Sequence, residues 1–104
     1  MITNNKKAPE WDLAEARRIV TSMLKNNPAS VYLFGSRAVG KMTAHSDIDV
    51  AVLPKKSLPP GLLAEIRDAL ENSEIIYKVD LVNLSEVSEL FKNRVINEGI
   101  LWND

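Results

Sequence analysis

Residues 35–50 read Gly35-Ser36-Arg37-Ala38-Val39-Gly40-Lys41-Met42-Thr43-Ala44-His45-Ser46-Asp47-Ile48-Asp49-Val50, a turn-rich segment that ends in two carboxylates at the head of an apolar run. Just before it, "SVYLFG" reads as a short buried strand closed by Gly35. Just after it, "DIDVAVLP" reads as a second strand stopped by Pro54. Side chains alternate faces along a strand, so Asp47 and Asp49 share one face with Cα atoms about 6.5–7 Å apart, while Ile48, Val50 and Val52 point into a core. The acids therefore form an outward row on a strand rather than charge forced into the interior.

The hydrophobic period on either side of this unit places the remaining elements. From Pro9 to Asn26, Leu13, Ala16, Val20 and Met23 recur at helical spacing with Ile19 and Leu24 beside them, while Glu15, Arg17, Arg18 and Lys25 take other faces. Asn26-Asn27-Pro28 ends that amphipathic helix, because the residue before a proline is pushed out of the helical region. After the second strand, "KKSLPPG" is a connection whose prolines can open a helix carrying Leu62, Leu63, Ile66, Ala69 and Leu70. "IIYKVDLVNL" reads as a third strand, and Ser85 is positioned to cap a last helix through Leu90, Phe91, Val95 and Ile96 that Gly99 breaks. The order is α-β-β-α-β-α: an α/β (α+β) fold with a small mixed sheet of about three strands, helices mainly on one face, and the other face open for a site or a partner. Residues 1–9 read as a flexible terminus and residues 10–104 as a single domain.

Composition limits what such a domain does. At 104 residues and 45% hydrophobic content it is one compact unit, of a size that buries roughly two thirds of its unfolded surface. Thirteen basic against fourteen acidic residues leave a net charge of −1, so no whole-molecule field draws it onto nucleic acid; direct nucleic-acid binding is disfavoured, with a local basic patch left open. There is no cysteine, hence no disulfide framework and no thiolate nucleophile, which fits a reducing compartment. The opening "MITNNKKAPEWD" lacks the apolar core of a signal peptide, and no apolar run approaches the roughly 18 residues that cross a bilayer. These features are those of a soluble, cytoplasmic chain.

The chemistry is concentrated around the acid row. In "YKVDLVNL", alternation sets Val79 and Leu81 against Lys78, Asp80 and Val82, so Asp80 is the acid of the third strand. If the second and third strands are neighbours, Asp80 stands roughly 5 Å from one member of the pair. Three carboxylates that close repel one another unless protonated, hydrogen-bonded or bound to a cation. Magnesium meets that need, since it takes carboxylate oxygens and keeps positions for water and phosphate. The Gly35-Ser36 turn supplies the other half: free backbone N–H groups and the Ser36 hydroxyl aimed at an anion, with Gly35 permitting close approach and Arg37 adding a fork of donors. Phosphate ligands beside metal-binding acids suit phosphoryl or nucleotidyl transfer.

With those residues in place, the chain resembles a minimal nucleotidyltransferase (MNT) of the DNA polymerase β superfamily, whose signature is Gly-Ser, ten residues, then Asp-x-Asp. Gly35-Ser36, residues 37–46 and Asp47-Ile48-Asp49 match it without a gap. The later carboxylate of the family matches Asp80, and "INEGILW" resembles the close of such domains. The resemblance implies the nucleotidyltransferase fold, two magnesium ions held by Asp47, Asp49 and Asp80, and ATP or another nucleoside triphosphate as substrate. It implies that Ser36 contacts the β- and γ-phosphates, with Gly35 and Arg37 in the same phosphate site, and that Asp80 helps deprotonate the acceptor hydroxyl. Val39 stands where a second arginine is common, and His45 precedes Ser46 where aspartate is common, which implies weaker phosphate affinity than in relatives.

Members of this size resemble MntA-like antitoxins, which pair with a helical HEPN-domain toxin and silence it by attaching AMP. Ending at Asp104, the sequence leaves no segment for firm binding of a base or an acceptor, so a partner chain is expected, as a hetero-oligomer or alongside a homodimer. Two alternatives stand beside this reading: a module that masks a partner's active site without catalysis, and a transferase acting on RNA or a small molecule. His45, Lys41, Lys55 and Lys56 read as solvated loop residues, and Trp11 and Trp102 as packing groups at helix ends or an interface.

Overall fold

The structure is a computed structural model that describes residues 9–35, 38 and 47–103. Its elements are helix α1 (Pro9–Met23), strand β1 (Ala29–Phe34), strand β2 (Ile48–Pro54), helix α2 (Leu62–Glu71), strand β3 (Val79–Asn83), a 3-10 turn (Leu84–Glu86), helix α3 (Glu89–Glu98) and strand β4 (Ile100–Leu101). They form a mixed α+β arrangement around a four-stranded sheet of order β3-β2-β1-β4.

Strand directions in the sheet are mixed. β1 and β2 run antiparallel, from Ala29 opposite Pro54 to Phe34 opposite Asp49. β2 and β3 are parallel, from Ile48 opposite Val79 to Val52 opposite Asn83, and the crossover that parallel strands require contains α2. β4 pairs antiparallel with the far side of β1.

The sheet is packed on both faces. On one, Val31, Leu33, Ile48, Val50, Val52 and Leu81 meet Ala16, Ile19 and Val20 of α1 and Ile66 and Leu70 of α2, with Trp102 completing the cluster. The complete burial of Ile48, Val50 and Val52 matches the alternation expected from the sequence. On the other face Ala51, Leu84 and Val95 form a smaller cluster, edged by Tyr32, Phe34, Leu53, Val82 and Phe91. Two helices thus share one face, and α3 narrows the face expected to be open.

Five local expectations are corrected. A fourth strand joins the three expected: β4 has two residues, too few to show a period-2 pattern. Asn103 extends its pairing by side chain, accepting from Val31 N and donating to Ala29 O, both at 2.8 Å. β3 begins at Val79 rather than Ile75, because its partner β2 begins at Ile48, and the ladder is closed by Ile48 N donating to Lys78 O at 2.9 Å. α1 stops at Met23 and passes through a turn, where Asn27 N donates to Leu24 O at 2.9 Å, before Pro28. Finally, Ser88 caps α3: its hydroxyl accepts from Phe91 N at 3.1 Å. Ser85 instead lies in the 3-10 turn, whose cap is Asn83. Leu90, expected on the apolar side of this helix, is 81% exposed, because a helix starting at Glu89 turns Phe91 and Val95 inward instead.

Candidate active site

Strand pairing sets the site. Asp49 lies on β2 and Asp80 on β3, directly opposite one another in the parallel ladder, and neighbouring strands are about 4.8 Å apart. Both acids lie on the α3 side of the sheet, since Ile48 and Val50 beside Asp49, and Leu81 beside Asp80, belong to the α1/α2 cluster. Asp47 is exposed and immediately precedes β2.

Asp49 is the electrostatic centre of the group. Its carboxyl is half-buried, and its pKa is raised above the ordinary carboxylate value, first by burial, then by the charges of Asp80 and Asp47, with Lys78 partly opposing. Asp80 makes an ion pair with Lys78 at 3.6 Å. Among the described residues no three acidic or histidine side chains converge into a ready-made metal cage. The three acids share a neighbourhood, and Lys78 supplies part of the positive charge that their crowding calls for.

The structure gives Gly35 a more specific role than the sequence did. It follows β1 with φ +79°, a left-handed conformation that side chains other than glycine's rarely take. Its carbonyl accepts from Ala38 N at 3.1 Å, so the chain turns at once. A Cβ at this position would overlap the Asp49 carboxylate oxygen and lie 3.1 Å from its Cγ. Gly35 thus leaves room for Asp49 itself, the residue across the strand pair from Phe34. Ser36, Arg37, Val39, Lys41 and His45 lie outside the described residues.

A groove of about 250 Å³ borders Gly35 on the α3 side, lined by Phe34, Phe91, Arg94, Val95 and Glu98. Phe34 and Phe91 meet edge to face with ring centroids 5.7 Å apart, and Arg94 pairs with Glu98 at 3.6 Å at the rim. Sequence reasoning did not single out this groove. Its signal was present as Phe34 directly before Gly35 and as the i,i+4 pair of α3, but linking them required knowing that α3 returns to the end of β1. A second groove at the free edge of β3 is lined by residues including Arg67, Ile76, Lys78 and Asp80, so the acid pair lies between two recesses.

Comparison with known proteins agrees with this geometry. Residues 18–102 match the family model described as Polymerase beta, Nucleotidyltransferase. A relative from Aphanizomenon flos-aquae, named protein adenylyltransferase MntA, is 33% identical over 103 residues, covering 84% of this chain and 65% of its own length. The chain spans between 52% and 65% of the length of the curated relatives it matches. Among solved structures, a toxin-antitoxin crystallised with AMP-PNP superposes with a TM-score of 0.66 at 30% identity, covering 84% of this chain and 72% of that one. A tri-AMPylated Shewanella oneidensis HEPN toxin in complex with its MNT antitoxin matches with a TM-score of 0.60 at 27% identity, over 86% and 71% of the two chains. Across five-sixths of its length, with Gly35 seated against Asp49 and Asp49 in register with Asp80, the chain belongs to the Polymerase beta nucleotidyltransferase family.

Proposed function

We propose that this chain is a magnesium-dependent nucleotidyltransferase module that moves a nucleoside monophosphate, AMP from ATP, onto a hydroxyl of a protein acceptor. We further propose that the acceptor is a helical HEPN-domain toxin, which the module silences as its antitoxin in the cytoplasm. Residues 10–104 make up the module in this reading, with residues 1–9 outside it. The observation that carries it is the Asp49–Asp80 pair, held in register across parallel strands beside a glycine turn. Relatives named protein adenylyltransferases, and a related antitoxin found with an AMPylated HEPN toxin, support the choice of AMP and of acceptor.

Strand order gives the reaction a direction. Gly35 directly follows β1, Asp49 sits on central β2 and Asp80 on edge strand β3, so the three run in that order across the sheet. In an in-line displacement the leaving group departs opposite the attacking oxygen. With the β- and γ-phosphates at Gly35, Ser36 and Arg37, the acceptor hydroxyl approaches over β3. Its oxygen bonds to the α-phosphorus, the bond from that phosphorus to the bridging oxygen breaks, pyrophosphate leaves towards Gly35, and the hydroxyl proton passes to the Asp80 carboxylate. The chain's contribution is alignment of the two reactants and containment of charge.

The donor set suits magnesium. Asp47, Asp49 and Asp80 offer hard oxygen ligands, and the pKa of Asp49, raised first by burial and then by the charges of Asp80 and Asp47, marks a carboxylate whose charged form a cation would stabilise. An open arrangement is also what magnesium uses when one or two carboxylates and substrate phosphates share its coordination. When bound, two such ions would neutralise the phosphate charge that develops during displacement.

The test is transfer of label from α-labelled ATP to a purified HEPN partner in magnesium. Asp49→Asn and Asp80→Asn are each expected to lower the rate by about 100-fold or more, given the several kcal/mol that such charge stabilisation supplies. Absence of transfer by the wild type, with Asp49→Asn still neutralising the partner, would leave a masking module instead.

A further inference from the structure

We infer that the groove between β1 and α3 is a nucleobase site, in which Phe34 and Phe91 provide the apolar floor and Arg94 and Glu98 the polar rim. The inference rests on the nucleotidyl-transfer reading and adds the one part of the nucleotide for which the Gly-Ser and Asp-x-Asp residues make no provision. Gly35 lines the groove and packs against the Asp49 carboxylate. The groove therefore opens one residue's width from Asp49, on the α3 side of the sheet that also carries Asp80, and a nucleotide whose phosphates lie along Gly35 and Asp49 meets α3 without leaving the domain.

The lining has the chemistry of base recognition. Phe34 and Phe91 are both half-buried and both open onto the groove. Aromatic floors of this kind hold heterocycles by stacking, whichever base is present. Arg94 offers donors to ring nitrogens or a carbonyl oxygen, and Glu98 accepts from an exocyclic amine. The two already pair at 3.6 Å while more than half exposed, so exchanging that pair for hydrogen bonds with a base gives up an interaction of little strength. The other groove, at the β3 edge, includes Asp80 and Lys78 and lies on the approach of the acceptor. That position makes it the poorer candidate for the base.

The experiment separates base from phosphate by measuring the affinity of the intact chain for ATP and for inorganic tripolyphosphate, both with magnesium, by isothermal titration. Arg94→Ala, at an exposed position, and Phe91→Leu, which keeps an apolar side chain in the smaller core, are compared with the wild type. Circular dichroism confirms that each is folded. Removing an aromatic ring from beneath a stacked base lowers affinity by about 5- to 160-fold. Phe91→Leu is expected to weaken ATP within that range and Arg94→Ala by at least its lower end, with tripolyphosphate affinity held within about twofold for both. Equal weakening of both ligands would assign the groove to phosphate, and unchanged ATP affinity in Arg94→Ala and Phe91→Leu would remove it from the site; either result overturns the inference. A wild type that binds tripolyphosphate and ATP equally well also overturns it, while the transfer reading stands. Binding of neither ligand refutes that reading and the base site with it.

Discussion

Asp49 and Gly35 form one unit at the residue scale, because the carboxylate occupies the space that a side chain at position 35 would need. The pKa of Asp49 is raised on folding, so in that range the native state binds more protons than the unfolded chain. Its charge therefore opposes folding above the raised pKa, and the opposition fades as the pH falls through that value towards the ordinary value near 4. In metal-free buffer Asp49→Asn is expected to melt at or above the wild-type temperature at about pH 7, with the gap closing as acid is added; a series of melts read by circular dichroism checks this. Gly35→Ala combines a left-handed backbone with a collision. The backbone alone costs about 1–2 kcal/mol, equivalent to a drop of roughly 4–16 °C in a domain of this size. In an Asp49→Ala background the steric share disappears and the backbone share stays, so the two changes should be markedly non-additive. From the sequence, Gly35 was legible as a residue needed for close approach. That the approaching group is Asp49 depends on the β1–β2 register, which "SVYLFG" and "DIDVAVLP" do not state separately.

The elements differ in how openly their sequences declare them. α1 and α2 carry apolar residues at helical spacing over ten residues or more, and β2 alternates through Ile48, Val50 and Val52, so these were readable and positioned both Asp-x-Asp and the core. Less was readable where two signals competed. Ser85 and Ser88 stand three residues apart, one inside a 3-10 turn and the other at the start of α3; only the hydrogen bond between Ser88 and Phe91 decides which serine caps the helix. Ser88→Ala is expected to destabilise the chain by about 1 kcal/mol through loss of the cap, and Ser85→Ala by less, since the 3-10 turn keeps Asn83 accepting from Ser85 N at 2.9 Å. Chemical denaturation of the two variants side by side distinguishes them, and a larger loss for Ser85 would restore the sequence-based cap. The groove beside Gly35 was hidden for a related reason: its walls come from β1 and α3, more than fifty residues apart, and no local pattern joins Phe34 to Arg94.

Across the whole molecule the two faces of the sheet are unequal. Among the described residues, the α1/α2 side gathers fifteen buried residues into its cluster, while the α3 side gathers three with a half-buried fringe. The acids sit on the weaker side, and α3 is tied down by Val95 and by the short β4 that follows it and pairs with β1. Such an arrangement divides the domain into parts with separate opening free energies. Amide hydrogen exchange is expected to show α3 and β4 exchanging through a partial opening, well before Val31, Val50 and Val52, whose amides wait for global unfolding. Among the described helices and strands, the least protected are then the ones that border the candidate site. A ligand held there would register as a slowing of exchange confined to α3 and β4, leaving the rates of the central strands where they were.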